Sequence, residues 1–179
     1  MTTAVQQLIE AARPAPPAEP FDWGRVERRL GASVPQDYRE LLDAGGGGLW
    51  LGCLRLHVPE PGPGLRHVDL ERSRLESEQL QDLFEDEVVA PPDDLDPDAG
   101  LLPWASIGAG VTLYWQISRA AASGAYPIRI SDRNGDVWER YDLRTTDLLL
   151  RIVKGEVRGE LLNESWLEYD TLFMPYADQ

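Results

Sequence analysis

Apolar side chains recur at Val5, Leu8, Ile9 and Ala12, the i, i+3, i+4, i+7 spacing of one helical stripe. Arg13-Pro14 ends that pattern, and RPAPPAEP (13–20) reads as a stiff proline-rich spacer. Residues 1–20 are therefore expected as an N-terminal helix and spacer, with the main domain starting near Phe21. A second helix is expected from Asp22, a natural N-cap, with Trp23, Val26 and Leu30 on one face and Gly31 as its stop. A third starts at Pro35, where a missing N–H costs nothing, and turns Tyr38, Leu41 and Leu42 inward. Gly45 is its expected left-handed cap, and the glycines up to Gly48 read as a loose turn.

From Leu49 the period shortens to two. Leu54, Leu56 and Val58 alternate with Arg55 and His57, the mark of a half-buried strand that turns His57 to solvent. PEPGPG (59–64) breaks the chain. Residues 69–86 are expected to be helical, with Leu80, Leu83 and Phe84 as a ragged apolar stripe, and APPDDLDPDAG (90–100) to be a loop. Val111, Leu113, Trp115 and Ile117 alternate with Thr112, Tyr114 and Gln116, a strong strand. Residues 126–143 read as two strands joined through Asn134-Gly135. A last helix has Thr146 as N-cap, Leu149, Ile152 and Val153 inward, and Gly155 as stop. The tail, 156–179, carries Trp166, Tyr169, Leu172 and Phe173 and is expected to pack on the domain of residues 21–155. Hairpin-linked strands with helices grouped before and after them predict an α+β fold. The expected sheet is mixed, mainly antiparallel, with helices packed against it.

Composition narrows the function. With 179 residues, 42% of them hydrophobic, the chain can bury one real core. Its 31 acidic and 17 basic side chains give a formal net charge of −14. Such a surface repels nucleic acid and anionic membranes and attracts basic partners, although acidity also serves solubility alone. A single cysteine, Cys53, sits among apolar neighbours that suggest burial, which fits a reducing compartment. The first residues lack a basic region followed by an apolar run, and no segment approaches the roughly 20 apolar residues of a membrane span. The expectation is a cytoplasmic monomer or weak dimer without nucleic-acid or membrane partners.

Catalytic signals fail one by one. The glycine run follows a helix and precedes a strand, the reverse of a phosphate loop, and no Lys or Arg lies between Arg39 and Arg55. Asp94, Asp96 and Asp98 alternate like calcium ligands, but Ala99 and Ala105 stand where that loop needs glycine and glutamate. His57 and His67 have no metal-ligand spacing, and no Gly-x-Ser-x-Gly elbow exists. Cys53 with His67 reads more simply as a thiol near a strand histidine than as a catalytic pair. No catalytic set, cofactor or metal site is expected, so the chain is read as a non-enzyme.

Two features survive. No Lys or Arg occurs between Arg74 and Arg119, an interval holding Glu76, Glu78, Asp82, Glu85, Asp86, Glu87, Asp93, Asp94, Asp96 and Asp98. Like charges at i,i+4, as in Glu78 and Asp82, raise a helix's own energy, which a basic partner would relieve. A merely solvated face is the blander reading. The second feature is six tryptophans, most of them expected in the core. Tyr114, opposite Trp115, and Trp138, among polar neighbours, are expected to be partly exposed and near the acidic rim. The candidate partner-binding residues are Glu78, Asp82, Glu85, Asp86, Glu87, Asp93, Asp94, Tyr114 and Trp138.

The order of several short motifs resembles the SUKH superfamily. These are Leu30-Gly31, Val34-Pro35-Gln36-Asp37-Tyr38, the glycines 45–48 entering LWLGCLRLHV, Leu102-Pro103-Trp104-Ala105, and the helix TTDLLLRIVKG. The resemblance covers about residues 21–155. It departs at Gly110-Val111, where the family often has Gly-Asp, and it does not include the N-terminal helix or the aromatic tail. The resemblance implies an α+β domain without catalysis. It further implies a bacterial immunity protein that neutralises a cognate polymorphic toxin by direct binding, here a basic toxin domain. A regulatory or scaffold protein recruiting an unrelated cellular partner is the alternative. The Ala-, Arg-, Pro- and Gly-rich composition suits a GC-rich bacterial genome.

Overall fold

The computed structural model describes residues 2–108, 110–118, 125–163 and 171–178. Among these described residues, five α-helices are α1 (Ala4–Ala12), α2 (Trp23–Leu30), α3 (Gln36–Gly45), α4 (Ser73–Glu85) and α5 (Thr145–Val153). Seven strands among the same residues are β1 (Gly48–Trp50), β2 (Leu54–Leu56), β3 (Gly100–Ile107), β4 (Val111–Ile117), β5 (Ile128–Ser131), β6 (Trp138–Tyr141) and β7 (Phe173–Pro175). They form one sheet in the order β6-β5-β4-β3-β2-β1-β7, and every neighbouring pair is antiparallel. The fold is α+β with helices packed against the sheet, as expected, and the sheet expected to be mainly antiparallel is antiparallel at every pairing among the described strands.

One face of the sheet carries the core. Trp104 and Trp115 stack with ring centroids 5.9 Å apart, and Tyr38 of α3 meets both rings edge-on. The Trp115 indole donates to Thr145 of α5 at 3.0 Å. The Tyr38 hydroxyl donates to the carbonyls of His57 and Trp104 at 2.6 and 3.1 Å. A buried hydroxyl so satisfied ties α3 to β3 and to the residue that follows β2. Leu8 of α1 is fully buried in this same cluster, so the N-terminal helix shares the core of residues 21–155 across the proline spacer.

The second face is covered by α4 and the loop after it. Ser73 opens α4 and its hydroxyl donates to the Pro103 carbonyl of β3 at 2.6 Å. At the far end Phe84 meets Trp138 of β6 edge-on at 6.1 Å.

Several local expectations are corrected. β3, the longest strand among the described residues, lies at the centre of the sheet, where the hydrophobic pattern predicts no element, and it contains Pro103. A register shift between Pro103 and Ala105 marks a bulge directly after the proline. LWLGCLRLHV is two strands rather than one, because Leu51 and Gly52 both take positive φ and turn the chain. His57 is buried rather than solvent-facing. Its ring nitrogens lack partners of hydrogen-bond geometry, and burial lowers its pKa to about 4, with the nearby Pro103 carbonyl opposing. Cys53 is half-buried, and burial pushes its thiol up. Leu83 is exposed, while Leu80 and Phe84 are partly covered. The N-terminus of α5 is capped from α3 rather than by Thr146.

The glycine run is closely packed. Gly46, with φ of 65°, is the residue that ends α3. A Cβ on Gly47 would lie 2.3 Å from Val58, and one on Gly48 would lie 2.4 Å from the Phe173 ring. Glycine is needed there because β7 crosses directly over this turn and pairs with β1. Leu172 and Phe173 of the tail thus pack on the core, with Phe173 4.9 Å from Trp50. The expected packing of Trp166 and Tyr169 falls outside the described residues.

A candidate protein-binding surface

α4 presents two faces for two purposes. Leu80 and Phe84 turn partly towards the sheet, while Leu75 and Leu83 are 49% and 39% exposed. Val88 follows at 67%, and its N–H donates to the Leu83 carbonyl at 2.9 Å, which sets the two side by side. Glu87 between them adopts φ of 56°, an uncommon conformation for a non-glycine residue, and reverses the chain after the helix.

The acidic residues ring these leucines with different commitments. Glu78 pairs with Arg74 at 2.9 Å, both exposed, an i,i+4 contact worth a few tenths of a kcal/mol. Glu85 accepts from Gln81 at 3.3 Å. Asp82, Asp86, Glu87 and Asp93 are exposed, with no ion pair among the described residues. Glu76 is set apart: it is half-buried, and desolvation raises its carboxyl above the ordinary range, with Arg72 opposing.

Asp94 has a different occupation. It bridges Arg129 of β5 at 2.7 Å and Arg140 of β6 at 3.2 Å. The Arg129 guanidinium holds its carboxyl below the usual carboxylate range. Arg129 is only 3% exposed; its Nε donates to Gln116 at 2.7 Å, and its Nη2 has no partner. A buried arginine on a strand gave no sequence signal beyond one charge inside an apolar alternation, and it was missed. Asp94 is the carboxylate of its loop that pairs with it.

Tyr114 and Trp138 are both half-buried, with ring centroids 5.8 Å apart. The Trp138 indole donates to the Ala90 carbonyl at 3.0 Å. Burial raises the Tyr114 phenol, with the Thr112 hydroxyl opposing. The two rings lie beneath the end of α4 and its loop and join both to the sheet. The structure therefore brings Tyr114, Trp138 and Asp94 together as supports and leaves Asp82, Glu85, Asp86, Glu87 and Asp93 facing outward. The exposed Leu75, Leu83 and Val88 were not foreseen; in the sequence they are indistinguishable from core positions of a helix stripe.

Among the described residues no group of three or more His, Cys, Asp or Glu is placed to hold a metal ion, and no helix is long and apolar enough to cross a membrane. No protein-family model matches the chain, and no curated protein matches it.

Proposed function

We propose that this chain is a non-enzymatic protein-binding module that takes a basic protein partner on the outward side of α4 and the loop that follows it. One observation carries the reading. Leu75, Leu83 and Val88 stand exposed inside a field of carboxylates that contains no cation from residue 75 to residue 118. Apolar anchors supply affinity by desolvation, and a one-signed rim supplies orientation and association rate. The resemblance of residues 21–155 to the SUKH superfamily supports the more specific form. In that form the chain is a bacterial cytoplasmic immunity protein, and its partner is a basic toxin domain that it blocks by occupancy.

The test is co-expression with a toxin domain encoded beside this gene. Under this reading the two co-purify and the cells survive. Reversing Glu85, Asp86 and Glu87 together to lysine then slows association at least tenfold and flattens its salt dependence. A toxin bound with unchanged kinetics and salt dependence overturns the surface. Survival without a complex overturns binding as the means of protection.

A further inference from the structure

The N-terminal helix is built as a separable part, because α1 satisfies both of its own ends. The Thr3 hydroxyl accepts from the Gln6 N–H at 3.2 Å, and Gln6 Oε1 accepts from the Thr3 N–H at 2.8 Å. At the other end the Arg13 N–H donates to the Ile9 carbonyl at 2.8 Å. What α1 takes from the body is burial. Leu8 is its buried side chain, and Ile9 and Ala12 pack on the core where α1 lies against α3 and α5. Among the described residues one hydrogen bond joins α1 to the body, from the Lys154 ammonium to Gln7 Oε1 at 2.9 Å, and it is exposed.

The joint between this helix and the body is strained and thinly packed. Arg13 takes φ of 48°, a left-handed conformation unfavourable for a residue with a Cβ. Pro14 rests against Gly45, where a Cβ would lie 2.7 Å from the proline ring. Beyond it the spacer to Pro20 makes no backbone hydrogen bond among the described residues. Ala15, Pro16 and Pro17 wall a cavity of about 410 Å³ whose other side is Gly46, Val58 and Pro59, so the spacer spans this space instead of filling it.

We propose that two copies of this chain exchange α1, each helix filling the groove between α3 and α5 of the other. Exchange keeps every contact that α1 makes with α3 and α5, so those contacts cancel from the balance. The joint then decides. The closed form carries the left-handed Arg13 and the unfilled cavity, and a strained hinge favours exchange. The proline-rich spacer prefers an extended form, in which residues 13–20 reach roughly 25 Å at about 3.1 Å per residue. Opposing this is the entropy of association, which rising concentration offsets. The occupant is fixed by the sequence itself, since only a second copy brings the Leu8, Ile9 and Ala12 stripe that already fits the groove. The exchange is independent of the basic-partner reading.

The experiment places a nitroxide on Ala11→Cys, an exposed position, in a chain that also carries Cys53→Ser, and mixes it with ¹⁵N-labelled native chain. Size-exclusion chromatography should show a dimer whose share rises between about 10 µM and about 1 mM. In the dimer fraction the ¹⁵N-labelled amides of 36–45 and 145–153 should be broadened most, since the nitroxide belongs to the other copy. Deleting residues 15–18 lowers the effective concentration of the chain's own helix and should lower the dimerisation midpoint at least tenfold. Pro16→Gly with Pro17→Gly softens the spacer and should raise that midpoint at least threefold. A native chain that stays monomeric to about 1 mM overturns the exchange. So does a dimer whose broadening centres away from α3 and α5, and so does a midpoint that the glycine variant leaves in place. Should the shortened chain fail to fold, the native and glycine chains decide alone.

Discussion

One carboxylate oxygen of Asp37, on α3, accepts both the backbone N–H and the side-chain hydroxyl of Thr146 at the start of α5, each at 2.8 Å. Both residues are buried. A helix begins with unsatisfied N–H groups and partial positive charge, and here the cap comes from another helix 109 positions earlier. The contact is both a cap and a tertiary lock.

Asp37→Ala should therefore cost about 2–3 kcal/mol, the loss of charge-assisted bonds to buried donors. Thr146→Ala, which loses one donor only, should cost about 1 kcal/mol. The double variant should fall short of the sum, because both single changes break the same contact. Urea unfolding of the four proteins measures this; strict additivity would refute the shared lock.

His57 sets an acid limit on stability. Its folded pKa of about 4 lies below the ordinary 6.5, so the unfolded chain binds the proton more readily. The stabilising contribution is complete above about pH 6.5 and is lost as pH falls towards 4, with a total of order 3 kcal/mol at 1.36 kcal/mol per unit. His57→Leu should flatten the urea midpoint between pH 6.5 and 4 relative to the native chain. An unchanged slope would show that other groups govern acid unfolding.

Trp138 joins the end of α4 to the sheet through Phe84, Tyr114 and the Ala90 carbonyl. Trp138→Ala should destabilise the fold by about 2–4 kcal/mol and raise amide exchange across the 84–90 segment before the rest of the chain. A fully stable variant would return Trp138 to the role of a free surface anchor.

Gly48→Ala drives a Cβ to within 2.4 Å of the Phe173 ring and 2.6 Å of the Met174 carbonyl. One of the two strands has to move. The expected loss is about 1–3 kcal/mol, as for overpacking elsewhere, with β7 amides losing protection while β3 and β4 keep theirs. Uniform protection would mean that the turn yields instead.

Much of the frame was legible because local chemistry agreed with the fold. Asp22 caps α2 through its bond to the Arg25 N–H at 3.0 Å, Gly31 ends it with φ of 70°, and the alternation at 111–117 is β4. Illegible features were those whose cause lies far away in the chain. Pro103 sits in a central strand directly before a bulge, a context set by pairing with β4 and not by its neighbours in sequence. The glycines are tight because a distant strand passes over them. At the candidate surface the carboxylates were readable as a run without cations, but not their division of labour. That division depends on Arg129 being buried, and only the packing of the loop on β5 and β6 decides it.

The pairing of β7 with β1 carries a lesson about timing. The Tyr176 hydroxyl donates to the Leu56 carbonyl across 120 positions, a contact of very high sequence separation. At translation rates of about 5–20 residues per second, roughly 6–24 s pass between the emergence of one partner and the other. Throughout that interval the nascent sheet shows a bare β1 edge, with Trp50 lacking its Phe173 cover. The window for errant strand pairing on the ribosome opens at that edge and shuts when the tail arrives.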